Sequence, residues 1–212
     1  MFEKSRNLQD AEPMKKYMKD HFPFLGIKSP LRKELEKQFF KETNLLKEPF
    51  NQEFVLELWN KDEREYQYTA LVYLEKSLKK LQKEDLHFLE NLIVTKSWWD
   101  TVDALAPKPV GEIAQKYPEV IKETINGWAA NENLWLRRAS ILFQLKYKQQ
   151  TNENLLYQYI QKNADSKEFF IQKAIGWALR EYSKTNPASV KEFIEDNQLA
   201  PLSIREGSKY LT

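Results

Sequence analysis

The stretch WLRRASILFQL, Trp135 to Leu145, decides the fold. Trp135, Leu136, Ala139, Leu142 and Phe143 recur at spacings of three and four around two adjacent arginines, the period of an α-helix buried along one side. The same pattern returns upstream in REYQYTALVYL (64–74) and WWDTVDALA (98–106), and downstream in FFIQKAIGWAL (169–179). Setting Ala70, Ala104, Ala139 and Ala174 in register gives spacings of 34, 35 and 35. A period this even predicts an all-α chain of HEAT-like helical repeats stacked into an α-α superhelix, because each helix pair buries its apolar face only against its neighbours.

Working outward, period-two alternation is hard to find, so about eleven to thirteen helices are expected and no sheet. Ser29-Pro30, Tyr117-Pro118 and Asn186-Pro187 read as helix starts, and Asp62, Ser97, Thr151 and Ser166 as N-caps. The 212 residues, 42% hydrophobic and 30% charged, suit one globular domain spanning 1–212. Cysteine is absent, which excludes disulfides, thiolate metal sites and cysteine nucleophiles and fits a reducing, cytoplasmic setting. Five glycines form neither G-x-G-x-x-G nor a P-loop, so the nucleotide-phosphate cradles of dehydrogenases and NTPases are missing. No apolar run is long enough to span a membrane, and the charged amino terminus does not read as a signal peptide.

The net charge of +2 is uninformative, yet residues 132–184 carry an excess of four cations while residues 1–100 balance. Register adds more. The residue before each aligned alanine is Thr69, Asp103, Arg138 or Lys173, and equivalent positions of stacked repeats line up along one face. Trp99 lies four residues before Asp103, and Trp177 four after Lys173, so each shares its neighbour's helix face. Trp98, Trp128 and Trp135 are expected in the core. A concave face bearing Trp99, Asp103, Arg138, Lys173 and Trp177 would attract a phosphate backbone. The lone carboxylate would repel one, but it would stabilise positive charge developing on a sugar. Elsewhere the residues read as bland. His21 and His87 lack metal-ligand spacing, and Ser97 has no base near it in the chain. Glu34/Glu36 and Glu63/Glu65 read as solvated acids on exposed faces.

The segments AEPMKKYMKDHFPFLGI (11–27), VTKSWWDTVD (94–103), NLWLRRASILFQLKYKQ (133–149) and SKEFFIQKAIGWALREYSKTNP (166–187) closely resemble the AlkD-type DNA alkylation repair glycosylases, which are HEAT-like repeat proteins. The resemblance runs from about Ala11 to Tyr210. It implies a monomeric enzyme acting on double-stranded DNA. Such an enzyme hydrolyses the N-glycosidic bond of cationic alkylpurines such as 3-methyladenine and 7-methylguanine without flipping the base, and needs no metal or organic cofactor. By the same resemblance Asp103 is the catalytic carboxylate, Trp99 and Trp177 bracket the deoxyribose, and Arg138 contacts a phosphate. Lys173, Arg180 and Tyr17 are further candidates for DNA contact.

About ten residues precede AEPMKKYM, where the family generally carries a further helix that helps grip the duplex. The alternative expectation is therefore a non-catalytic or weakly active DNA-binding paralogue. A third, general to helical repeats, is a scaffold for another protein.

Overall fold

A computed structural model describes residues 1–211. Among them no strand occurs, as expected, and no helix is long and apolar enough to cross a membrane. The fold is that of an all-α helical-repeat protein. Two compact units divide the chain, Met1–Leu81 and Gln82–Thr212.

The first unit carries α1 (Leu8–Tyr17), α2 (Ser29–Thr43), α3 (Gln52–Asn60) and α4 (Arg64–Lys76). Here the reading of the acid pairs fails at two positions. Glu36 and Glu65 are buried, not solvated. The Glu65 carboxylate accepts the backbone N–H groups of Leu25, Gly26 and Ile27 at 3.0, 2.9 and 3.0 Å, fixing the segment before α2 onto α4. Gly26 makes this approach possible. Its φ is +82°, and a Cβ there would lie 1.9 Å from the carbonyl oxygen of Asn7. Glu36 accepts from the Thr69 hydroxyl at 3.0 Å and from Arg32 Nε at 3.2 Å. Both carboxylates satisfy the rule that a buried charge must be paired or hydrogen-bonded.

The second unit carries α5 (Asp85–Val94), α6 (Trp99–Leu105), α7 (Gly111–Lys116), α8 (Asn126–Trp128), α9 (Leu134–Leu142), α10 (Glu153–Gln161), α11 (Phe169–Tyr182), α12 (Pro187–Asp196) and α13 (Pro201–Gly207). A π-turn over Ala106–Val110 joins α6 to α7 and accommodates Pro107 and Pro109 within one helical stretch. The repeat is visible in the packing, with α6 against α9 and α9 against α11. Ala139 and Ala174 are completely buried where these helices meet, while Ala104 is half-buried. Small side chains at this register let the helices approach closely.

The expected caps are displaced by a residue or two. Asparagines Asn133, Asn152 and Asn186 cap α9, α10 and α12 through their side-chain oxygens, and Asn7 and Asn51 do the same for α1 and α3. Thr151 yields to Asn152, and Asp62, Ser97 and Ser166 lie outside the first turns they precede. The Ser97 hydroxyl instead donates to Ile93 O at 2.6 Å, closing the end of α5.

Candidate nucleic-acid interface

The break between α5 and α6 positions the first site residues. Lys96 adopts a left-handed backbone (φ 48°) and Trp98 is extended, which turns the chain so that α6 begins at Trp99. Asp103 follows one helical turn later, on the same face as Trp99.

Across from α6, Arg138 of α9 meets Asp103 in a fork: Nε donates to Oδ1 at 2.7 Å and Nη2 to Oδ2 at 2.8 Å. Arg138 Nη1 also donates to the carbonyl of Phe170 on α11. The side chains of Arg138 and Asp103 are 5% and 18% exposed. An aromatic cluster accounts for part of this burial. Trp98, Trp135 and Phe170 pack mutually with ring centroids 5.0–5.6 Å apart, and the Arg138 guanidinium lies 5.9 Å from the Phe170 ring. Trp128 and Trp135 are buried as expected, whereas Trp98 is only half-buried at the edge of this cluster.

Burial raises the Asp103 carboxyl above the ordinary aspartate range, against the pull of Arg138 and with a small push from Asp100. The result is a carboxylate of raised proton affinity held rigidly by a bidentate arginine.

In the free protein the Arg138 guanidinium donates to Asp103 and to the Phe170 carbonyl, a pairing that fixes the orientation of the carboxylate. Lys173 and Arg180 lie on α11 with Trp177 between them, at i, i+4 and i+7 of one face. Both reach Glu206 of α13: Lys173 Nζ is 3.3 Å from Oε1, and Arg180 Nη1 is 3.4 Å from Oε2. Trp99 and Trp177 are each half-buried. Tyr17 belongs to the first unit, as the last residue of α1, and is 71% exposed. Among the described residues no group of three His, Asp or Glu is placed to hold a metal ion. His21 and His87 are exposed, and His87 Nδ1 lies 3.6 Å from Glu90.

Sequence reasoning read Glu36 as a solvated acid and left Glu206 unremarked, although both continue its own register. Glu36 stands 33 residues before Thr69, and Glu206 stands 33 after Lys173. Extended this way, the register reads Glu36, Thr69, Asp103, Arg138, Lys173, Glu206, and it pairs off as Glu36 with Thr69, Asp103 with Arg138, and Lys173 with Glu206. At neither position does the alanine marker persist: Lys37 follows Glu36, and Gly207 follows Glu206.

An all-helical repeat in which a largely buried carboxylate–arginine pair joins neighbouring helices defines a helical-repeat class of protein with a polar site between its helices. The chain belongs to the DNA alkylation repair enzyme family, which matches residues 1–211. A predicted DNA alkylation repair enzyme from Enterococcus faecalis is similar in structure, with TM-score 0.89, 37% identity, and coverage of 98% of this chain and 97% of that one. Two Streptococcus mutans structures share the fold. One is smu.31 of strain UA159, with TM-score 0.63 and 22% identity over 85% of this chain and 98% of that one. The other is AlkD2, with TM-score 0.63 and 20% identity over 84% and 89%. No curated protein matches the chain.

Proposed function

We propose that the protein is a DNA glycosylase that hydrolyses the N-glycosidic bond of cationic alkylpurines, such as 3-methyladenine and 7-methylguanine, in duplex DNA. The observation that carries this reading is the Asp103 carboxylate, buried and fixed in a two-point contact with Arg138 on the face that Trp99 shares.

The chemistry needs little else. An alkylated purine already carries positive charge, so the C1′–N bond breaks with its electron pair leaving on the base, and no general acid is required. Positive charge moves to the sugar as an oxocarbenium-like ion. Asp103 stabilises that charge, in surroundings where burial strengthens the attraction. Water then adds its oxygen to C1′ and releases a proton. Trp99 and Trp177 contribute indole faces that attract the cationic sugar, worth about 1 kcal/mol each at exposed sites. Lys173 and Arg180 bind flanking phosphates, and Tyr17 is a further residue for backbone contact. Because the reactive charge is on the sugar, the base stays stacked. The enzyme works as a monomer in the cytoplasm, without metal or organic cofactor.

The test is single-turnover release of 7-methylguanine from a duplex oligonucleotide at low salt, comparing the protein with Asp103→Asn. Release that falls to background in the variant is the expected result. No release by either protein, together with weak duplex binding, overturns the reading in favour of a non-catalytic paralogue.

A further inference from the structure

One carboxylate in the second unit gathers three cations. Glu206 Oε2 lies 2.7 Å from Lys209 Nζ and 3.4 Å from Arg180 Nη1, while Oε1 lies 3.3 Å from Lys173 Nζ. The Glu206 side chain is 10% exposed, but those of Lys173, Arg180 and Lys209 are 38%, 27% and 47% exposed, so an outside anion can reach the cations more readily than their partner. Exposed ion pairs of this kind contribute little to stability. Their main consequence is for local charge, since one negative group partly cancels three positive ones.

The arrangement is built into the backbone. Gly176 lies between Lys173 and Arg180, and a Cβ there would meet Glu206 Cβ at 2.5 Å and Ser203 O at 3.1 Å. The missing side chain lets α13 close onto α11, and the Ser203 hydroxyl pins it by donating to Gln172 O at 2.9 Å. Glu206 is thereby set against the helix that presents Lys173, Trp177 and Arg180. Its carboxylate oxygens occupy the donors that a phosphate oxygen would take. Lys209, and after it Lys173, hold the Glu206 carboxyl down at about 2, so the group is ionised at any pH at which the protein meets DNA.

We propose that Glu206 is an internal competitor for phosphate, which holds Lys173 and Arg180 in place in the free protein, surrenders them to backbone phosphates on binding, and so weakens attachment to undamaged DNA. The proposal rests on the reading of α11 as a DNA-contacting helix. It makes Glu206 a residue that sets how far the protein discriminates a lesion from the excess of intact duplex.

The experiment measures binding of the full chain to an undamaged duplex across a salt series, for the wild type, Glu206→Gln, Lys173→Gln and the double variant. Glu206→Gln is expected to bind about tenfold more tightly at low salt, with a log–log salt slope steeper by roughly 0.9 for each additional phosphate engaged. Lys173→Gln should lose more affinity in the Glu206→Gln background than alone, because its charge is then uncommitted. Glu206→Asp, with the acid drawn back by one methylene, should fall between the wild type and Glu206→Gln, and it decides the matter if the glutamine variant fails to fold. Unchanged or weaker binding by folded Glu206 variants, with an unchanged slope, overturns the proposal while leaving the DNA reading intact. Absence of duplex binding by the wild type overturns both.

Discussion

Asp103 and Arg138 stand 35 residues apart, one repeat, and face each other through two parallel N–H···O contacts of 2.7 and 2.8 Å. Each is the other's principal side-chain partner and both are largely buried, so removing one leaves a charge uncompensated. Arg138→Gln is expected to destabilise the fold by about 3–5 kcal/mol, a scale set by broken buried ion pairs. Asp103→Asn keeps an acceptor for Arg138 and should cost less, while abolishing excision. Chemical denaturation of both variants checks the order. An Arg138→Gln protein as stable as the wild type would show that water already screens the pair.

Proton uptake at Asp103 follows from its burial. Its carboxyl titrates above the ordinary 3.8, so between that value and the raised one the folded state binds a proton that the unfolded chain does not. This group therefore adds stability as pH falls through that window and costs stability above it. Excision runs the other way, because the sugar cation needs the ionised form. The acid limb of the single-turnover rate is expected above the range of a solvated aspartate, and Arg138→Lys should move it further up by weakening the fork. A limb at or below 3.8 would mean that the arginine outweighs burial.

How much of this was legible in the sequence depends on the physical signal each feature leaves. Helical period and the alanine register reflect packing, which repeats, so the fold class and the succession of α6, α9 and α11 that carry Asp103, Arg138 and Lys173 could be read directly. Asp103 stood out because a carboxylate is electrostatically out of place among cations. The partner of Arg138 was missed because register says which residues share a row, not which of them bond. Glu36 and Glu65 looked solvated because charge is usually exposed, and only the three N–H groups at Leu25, Gly26 and Ile27 explain why Glu65 is not. Glu206 lay in the row, but no alanine marked it.

Trp99 sits at the first residue of α6, half-buried, with Asp103 a turn away. Its role in the proposed reaction is to face the cationic sugar, so Trp99→Ala should lower the single-turnover rate by roughly tenfold, the loss of about 1 kcal/mol of cation–π attraction plus displaced positioning. Trp99→Phe should retain most of the rate. Equal losses in both variants would point to packing of the indole rather than to its π face.

Glu65 is the anchor of the first unit's loop. Glu65→Ala leaves three buried N–H donors without their acceptor, each costing about 1–3 kcal/mol, so a loss of at least about 3 kcal/mol is expected in unfolding free energy. Glu65→Gln keeps one acceptor oxygen and should lose less. Hydrogen exchange at Leu25, Gly26 and Ile27 reads the effect locally: protection should collapse in the alanine variant and persist in part in the glutamine one.

Gly176 tests whether the closeness of α13 to α11 matters. Adding a methyl at this position forces Glu206 Cβ and the Ser203 backbone away from contacts of 2.5 and 3.1 Å, and the neighbour is backbone as well as side chain, so it cannot simply swing aside. Gly176→Ala is therefore expected to cost about 1–3 kcal/mol through overpacking, despite the better helix propensity of alanine. The same shift draws the Glu206 carboxylate from Lys173 while leaving Lys209 beside it, so its pKa should climb part of the way from about 2 toward the ordinary 4.5. Because a depressed carboxyl stabilises the fold above its unfolded-state value and loses that contribution as pH falls, Gly176→Ala should also flatten the acid side of the stability profile below about pH 4.5. Thermal melts of the wild type and Gly176→Ala from neutral pH down to acid would separate the two effects, the overpacking appearing as a constant offset and the lost carboxylate contacts as a difference that narrows as the pH drops.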